Sequence, residues 1–424
     1  MKPGSKFWLV PVLFFLFIQS GLGQDLVYAR KIVKELCSDE FAGRGYVNSG
    51  DALAANFIRL KMKESGLKPV GTSYYQEFGF PVITFPEIVE LNIDGEYLFP
   101  GKDFLVNPGC PSINGTFSVL EIDSATLDNN TLFEKLKSKN LRNTFLIVDH
   151  VIDFKLIHAE RADLILKNEI KAKGLLYKEK EALMWSVAME FAPFPIISIK
   201  KDRINQLILK MKLRVESTLS YHATQNVIGM IKGKEKPDSF LVVTAHYDHL
   251  GKMGDFAIFP GANDNASGVA MMLDLAKTFS KKPPKYSVLF IAFAGEEAGL
   301  LGSLYYTENP VLPLSKIKFL LNLDLMATGD KGLTAVNGTV HTELFDLLKT
   351  CNSIGSYLPA INARGKASNS DHYYFSEKGV PAMFIYLMGD YHQYHDVGDT
   401  YEAVTFSKYN EAFLLMKEFL EAID

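Results

Sequence analysis

From Thr224 onward the chain alternates long apolar runs with helical patterns, and that alternation constrains the fold more than any other feature. The runs are "NVIGMIKG", "FLVVTAHYD", "YSVLFIAFAG", "IKFLLNLDLMA" and "PAMFIYLM". Helical spacing separates several of them, as in "ASGVAMMLDLAKTFS" over 266–280 and "TELFDLLKTC" over 342–351. A strand that is apolar along its whole length is covered on both faces, and an intervening helix lets successive strands run parallel. The expected fold class is therefore α/β: a mixed, largely parallel central sheet with helices on both faces, and a smaller inserted α+β domain.

The insertion is read from a change of character upstream. Residues 24–90 are helical first, in "DLVYARKIVKELCS" and "NSGDALAANFIRLKMKESGL", around the turn "DEFAGRGYVNSG". Residues 91–221 turn to short β-like runs such as "FSVLEI", "TFLIVDH" and "PIISI", with one helical stretch and no catalytic cluster. The expected organisation is a main unit of 24–90 and 222–424 interrupted by a domain of 91–221.

Residues 1–23 read as a signal peptide: "MKPGSK" is basic, "FWLVPVLFFLFI" apolar and "QSGLG" small, with cleavage near Gly23. An apolar run of about a dozen residues is short for a membrane span. An exported, periplasmic or secreted protein without stable membrane insertion is expected. The formal net charge of −4 gives no basic footprint and argues against nucleic acid as a partner. Cys37, Cys110 and Cys351 are too few and scattered for a zinc cluster or disulfide framework, leaving room for one bridge at most.

Metal-ligand residue types gather where the apolar runs end. "VVTAHYDHLG" offers His246 and Asp248, "GANDNASG" Asp264, "AGEEAGLLGS" Glu296 and Glu297, "LNLDLM" Asp324, and "YHQYHDVGDTYE" His395. Adjacent carboxylates raise each other's proton affinity, and strand ends are where an open α/β sheet presents its ligand site. Two histidines and three carboxylates, one bridging, would hold two divalent ions. One glutamate of the pair is then left over. In this reading Glu297 ligates metal and Glu296 acts as general base.

The ordered set "HYDHLG…GANDNASG…AFAGEEAGLLGS…LNLDLM…SDHYYFSEKGVPA…YHDVGDTYE" resembles peptidase family M28, the co-catalytic two-zinc aminopeptidases. The resemblance covers about 25–90 and 222–424, including "FAGRGYVNSGDALAANFIRLKMKESGLKPVG…YYQEF". It implies two Zn2+ ions: His246 and Asp324 on one, Glu297 and His395 on the other, and Asp264 between them. It also implies that Asp248 orients the His246 imidazole, that Glu296 is base and then acid, and that Tyr394 donates to the oxyanion. The partner implied is a peptide substrate, cleaved at its N-terminus. The inserted stretch resembles a protease-associated domain, through "NTFLIVDHVIDF…APFPIISIKKDRINQLI".

His395 is preferred to His392 because "H-D-V-G-D-T" matches the family's closing motif. Asp371 and His372 are expected as pocket wall and support, and His249 near the site rather than in it. His150, His158, His222 and His341 are expected to be solvated or locally bonded. Other readings on the same fold are a carboxypeptidase, a cyclase acting on N-terminal glutamine, and a non-catalytic binding protein.

Overall fold

The computed structural model describes residues 26–149, 159–204, 208 and 210–423. The expected signal peptide, with its cleavage point at Gly23, lies outside the described residues, as do His150 and His158.

The larger unit is built on an eight-stranded sheet, whose strands are numbered here within that unit. They are β1 (Tyr75–Thr84), β2 (Thr218–Ile231), β3 (Lys236–His246), β4 (Tyr286–Phe293), β5 (Ile317–Leu323), β6 (Gly332–Val336), β7 (Ile361–Ala363) and β8 (Ala382–Met388). In space they run β1-β2-β4-β3-β5-β8-β6-β7. The central four, β4, β3, β5 and β8, are mutually parallel. β1 and β2 form an antiparallel ribbon on one side, and β6 runs antiparallel to β8 on the other.

The apolar runs are continuous because the central strands are covered twice. Every residue of β4 is buried. Leu241 and Val243 of β3 enter a core shared with helices α1 (Leu26–Leu36), α2 (Gly50–Glu64) and α3 (Ser267–Lys281), while Val242 between them enters the opposite core with Tyr306 and Phe375. Residues Ser267–Ala276 of α3 are all buried, which its apolar circumference requires.

A second eight-stranded sheet, from Val89 to Val215, lies between β1 and β2. The expected junction at 221/222 falls inside a strand: Thr218 pairs with Thr84 and Val227 with Tyr75 along one ribbon. The chain leaves and re-enters the larger unit along these paired strands, so cross-strand bonding places the crossings nearer 85 and 217. Cys37, Cys110 and Cys351 are all free thiols.

The strand order also places the site. From β3 the chain crosses to β4 on one side and then to β5 on the other, so the order reverses at β3 and opens a crevice at its carboxyl end. His246 is the last residue of β3, Glu296 and Glu297 follow β4, and Asp324 follows β5.

The turn "FAGRGY" packs against this edge through a fully buried Arg44. Its guanidinium donates to the carbonyls of Leu36, Tyr247, Pro260, Gly261 and Asp264, at 2.5 to 3.3 Å. Gly43 beside it sits at φ +62°, and a Cβ there would stand 2.4 Å from two carbonyl oxygens. Arg44 thus ties the first helix to the loop that carries Asp264. Arg44→Met should destabilise the fold by about 3 kcal/mol or more, because buried carbonyls lose their donors. Arg44→Lys should recover little, since one ammonium cannot span the fork. Denaturant unfolding midpoints check both.

Candidate metal centre

Each ligand-type side chain is aimed by the chain around it. The Asp264 loop enters through Gly261, at φ +59°, whose Cβ would meet the Asp264 carbonyl at 2.2 Å. The amides of Asn263 and Asp264 donate to Asp399 at 2.8 and 3.0 Å. Asp399 also accepts from the Tyr391 hydroxyl at 2.6 Å. Asp324 is held through a buried relay: Thr244 to Asn322 at 2.6 Å, Asn322 to Ser370 at 2.8 Å, and Ser370 to Asp324 Oδ2 at 3.2 Å.

These side chains converge on a cleft of about 230 Å3. His246 Nε2 lies 3.3 Å from Asp264 Oδ1 and 3.4 Å from Asp324 Oδ2. His395 Nε2 lies 3.1 Å from Asp264 Oδ2 and 3.3 Å from Glu297 Oε2. Two sets of one histidine and two carboxylates therefore share Asp264, which gives one oxygen to each. All four separations exceed the roughly 2.7–2.9 Å of a charge-assisted N–H···O bond. They approach the roughly 3.3–3.6 Å between two donors on a tetrahedral zinc with bonds of about 2.0–2.2 Å.

Both imidazoles present the nitrogen a cation needs. His246 Nδ1 faces the Asp248 carbonyl at 3.1 Å, and His395 Nδ1 faces the Trp185 carbonyl at 3.1 Å. A proton kept on each Nδ1 leaves each Nε2 lone pair toward the carboxylates. Among the described residues Asp324 Oδ1 is buried without a hydrogen-bond partner, so this carboxylate has a second oxygen free beside the Oδ2 that faces His246. Proximity alone groups His246 with Glu296 and Asp324, and again with Asp264 and Glu297, within 4.8 Å. The shorter nitrogen-to-oxygen contacts give the better division, because they bring in His395 and leave Glu296 outside both sets.

The charges explain the strain of this arrangement. Burial raises the proton affinity of Glu296 well above the ordinary carboxyl range, and Glu297, Asp371 and Asp324 add to it against the pull of His246. Burial also opposes the Asp264 charge, yet contacts from His246 and His395 hold it well below that range. His395 is pushed up to about 9, its neighbours Glu297 and Asp264 outweighing burial. A cation entering between such groups competes with protons for the same imidazoles, so its binding would depend on pH.

The structure brings together His246, Asp264, Glu296, Glu297, Asp324, Tyr394 and His395 around this cleft. Asp248 departs from its expected role. Its carboxylate stands 3.8 Å from His246 Nδ1, and its backbone carbonyl takes that contact. Three other donors claim the carboxylate: the Tyr46 hydroxyl at 2.5 Å and the amides of Glu296 and Glu297 at 3.3 and 3.2 Å. The side chain therefore fixes the Glu-Glu turn rather than the imidazole. Tyr394 stacks on the His395 ring at 4.0 Å and is 45 % exposed.

Asp371 and His372 are buried behind the cleft, where burial lifts the Asp371 carboxyl to about 7 and lowers the His372 ring to about 4. His392 is exposed, away from the cleft. His249 stands closer than expected: its Nδ1 lies 2.7 Å from Glu297 Oε1, and its ring meets that of His395 edge-on. Arg44, Tyr46, Trp185, Ser370 and Asp399 were not singled out by the sequence. Ser370 and Asp399 fall within quoted motifs, "SNSDHYYF" and "HDVGDT", whereas nothing around Trp185 marks it. A larger depression of about 660 Å3 between Glu179–Ala182 and Lys200–Asp202 holds no histidine among the described residues.

Similarity to known proteins falls on the same residues. The model of peptidase family M28 matches residues 226–420. Aminopeptidase YwaD of Bacillus subtilis is 30 % identical over 231 residues, 50 % of this chain and 47 % of that protein. A probable zinc metalloprotease of Pyricularia oryzae is 39 % identical over 111 residues, 25 % of this chain and 22 % of that one. The matches thus span less than half the length of these curated relatives. A solved zinc aminopeptidase of Bacillus subtilis shares the fold with a TM-score of 0.69, 20 % identity, and coverage of 94 % of this chain and 95 % of the other. The segment 226–420, which matches peptidase family M28, contains both histidines, the shared Asp264, Asp324 and the glutamate pair.

Proposed function

We propose that this protein is an exported aminopeptidase using two zinc ions to hydrolyse N-terminal residues from peptides. The observation that carries the reading is the pair of histidine–carboxylate sets joined through the two oxygens of Asp264, with Glu296 lining the same cleft outside both sets. His246 and Asp324 would hold one zinc, Glu297 and His395 the other, and Asp264 both. The ions would supply Lewis acidity toward the scissile carbonyl and lower the pKa of the attacking water.

The chain's own groups do the rest. Glu296, rich in proton affinity and anchored through its amide to Asp248, takes the proton from the water and returns it to the leaving amine. Tyr394, at the cleft mouth, donates to the developing oxyanion. Asp248 and Tyr46 hold the turn that sets Glu296 and Glu297 apart. The larger unit is the catalytic domain, and the smaller sheet is a protease-associated-like domain. Export rests on the leader-like opening of the chain.

One observation favours a second reading. The Arg364 guanidinium lines the cleft, braced on the Tyr386 hydroxyl at 3.2 Å, and would suit the C-terminal carboxylate of a carboxypeptidase substrate. Both oxygens of Asp264 lie against imidazoles, which fits two ions better than a one-zinc cyclase.

Three outcomes are expected. Given zinc and a peptide pool with free and acetylated N-termini, the protein should shorten only the free peptides, stepwise from the N-terminus, as mass spectrometry will show. Loss from the C-terminus would transfer the assignment to the carboxypeptidase. Glu296→Gln should lower kcat by about 10²–10⁴ while zinc content stays at the wild-type value, read by metal analysis beside steady-state kinetics. His249→Ala should weaken zinc about 10- to 100-fold, because Glu297 loses the donor that orients it, and chelator competition measures that loss.

A further inference from the structure

We infer that the smaller unit completes the metal centre, with Trp185 as the positioning residue for His395. The inference rests on the two-zinc reading above. Trp185 lies in the segment between strands Gly174–Glu179 and Ile196–Lys200 of the second sheet. Its amide donates to the His395 carbonyl at 2.8 Å, and its own carbonyl faces His395 Nδ1 at 3.1 Å. One residue thus grips both the main chain and the ring of a ligand.

His395 needs such support. It sits at φ +52°, in the left-handed region that a residue with a side chain rarely occupies. Its imidazole stays open enough to swing, with a side-chain exposure of 17 % against 2 % for His246. His246 receives its Nδ1 contact from Asp248, two residues along its own strand end. His395 receives the equivalent contact from a residue 210 positions away, in another sheet.

Trp185 is itself anchored on both sides of the junction. Its indole Nε1–H donates to the Val106 carbonyl of the second sheet at 2.8 Å. Its ring stacks on Phe259 of the larger unit at 4.8 Å, just ahead of the Asp264 loop, and tilts against Phe85 at 5.7 Å. The side chain sets where the carbonyl points, and the carbonyl sets the proton on Nδ1 that frees Nε2 for an ion. The smaller unit therefore controls the half of the centre formed by Glu297 and His395, and leaves the His246–Asp324 half to the larger unit alone.

The test compares Trp185→Ala, Trp185→Phe and His395→Ala with a buried substitution on the far face of the second sheet, Leu146→Ala, all in the whole mature chain. Zinc affinity is read by chelator competition, folding by circular dichroism, and the His395 ring proton by imidazole 15N shifts. Trp185→Ala should keep the fold and reproduce the His395→Ala zinc loss, about tenfold or more in affinity, with altered His395 shifts. Trp185→Phe, which keeps the stacking on Phe259, should recover most of it. Leu146→Ala should lower the unfolding midpoint without touching zinc. Unchanged 15N shifts in Trp185→Ala, or an equal zinc loss in Leu146→Ala, would overturn the proposal. A single tight zinc in the wild type would sink the two-ion reading instead, and the ring shifts would still decide the clamp.

Discussion

Carboxylates gathered at one edge of a sheet repel one another, and the rest of this structure answers that repulsion. Asp264, Glu296, Glu297 and Asp324 meet in one cleft, with Asp248 and Asp371 buried just behind. An uncompensated buried charge costs several kcal/mol. Among the described residues the ion pairs to Asp264, Glu297 and Asp324 come from histidines, and no lysine or arginine is paired with them. Arg44, fully buried beside the cluster, spends its donors on main-chain carbonyls instead. Asp399 likewise bonds to main-chain amides, and Ser370 supports Asp324 through the oxygen that faces His246. The frame is tight while the oxygens that meet in the cleft face imidazoles, with one hydroxyl on Asp324, an arrangement suited to take up positive charge.

The same economy decides how the two sheets are joined. The β1–β2 ribbon carries the chain out of the larger unit and back, so both crossings lie on one side of the central sheet. The second sheet is then close enough to reach the cleft mouth, where its Trp185 meets the loop after β8. Trp185 also joins a core that includes Leu250, Met253 and Phe259 of the larger unit. Packing of this kind couples the units through apolar contact, and the Trp185–His395 pair carries that coupling to a ligand.

The central strands and most of the site were legible in the sequence for a common reason. Burial on both faces removes the alternation of polar residues, so a histidine or acid at the end of such a run has no role in solvation. His246, Glu297 and Asp324 stand out on that ground alone. Arg44, Asp399 and Trp185 were not legible, because each works through main-chain groups: Arg44 donates to carbonyls up to 220 positions away, Asp399 accepts from amides 135 and 136 positions away, and Trp185 offers its own carbonyl to a ring 210 positions away. A backbone acceptor has no residue identity, so such contacts leave no paired motif. Asp248 shows the reverse error. The spacing H-x-D suits an imidazole's outer partner, but the chain bends so that the carbonyl meets the ring and the carboxylate meets the next strand's turn.

That turn is where two neighbouring glutamates acquire different chemistry. Asp248 accepts from both amides, fixing the backbone on which the side chains diverge. Glu297 has an imidazole at each oxygen, His249 at Oε1 and His395 at Oε2. Glu296 has neither contact among the described residues, and its proton affinity rises with burial and with the charge next door. A carboxylate with an imidazole at each oxygen is placed to share a cation with them, whereas one with a raised proton affinity is suited to accept a proton. The two side chains differ in which oxygens the histidines reach, although they are adjacent in the sequence.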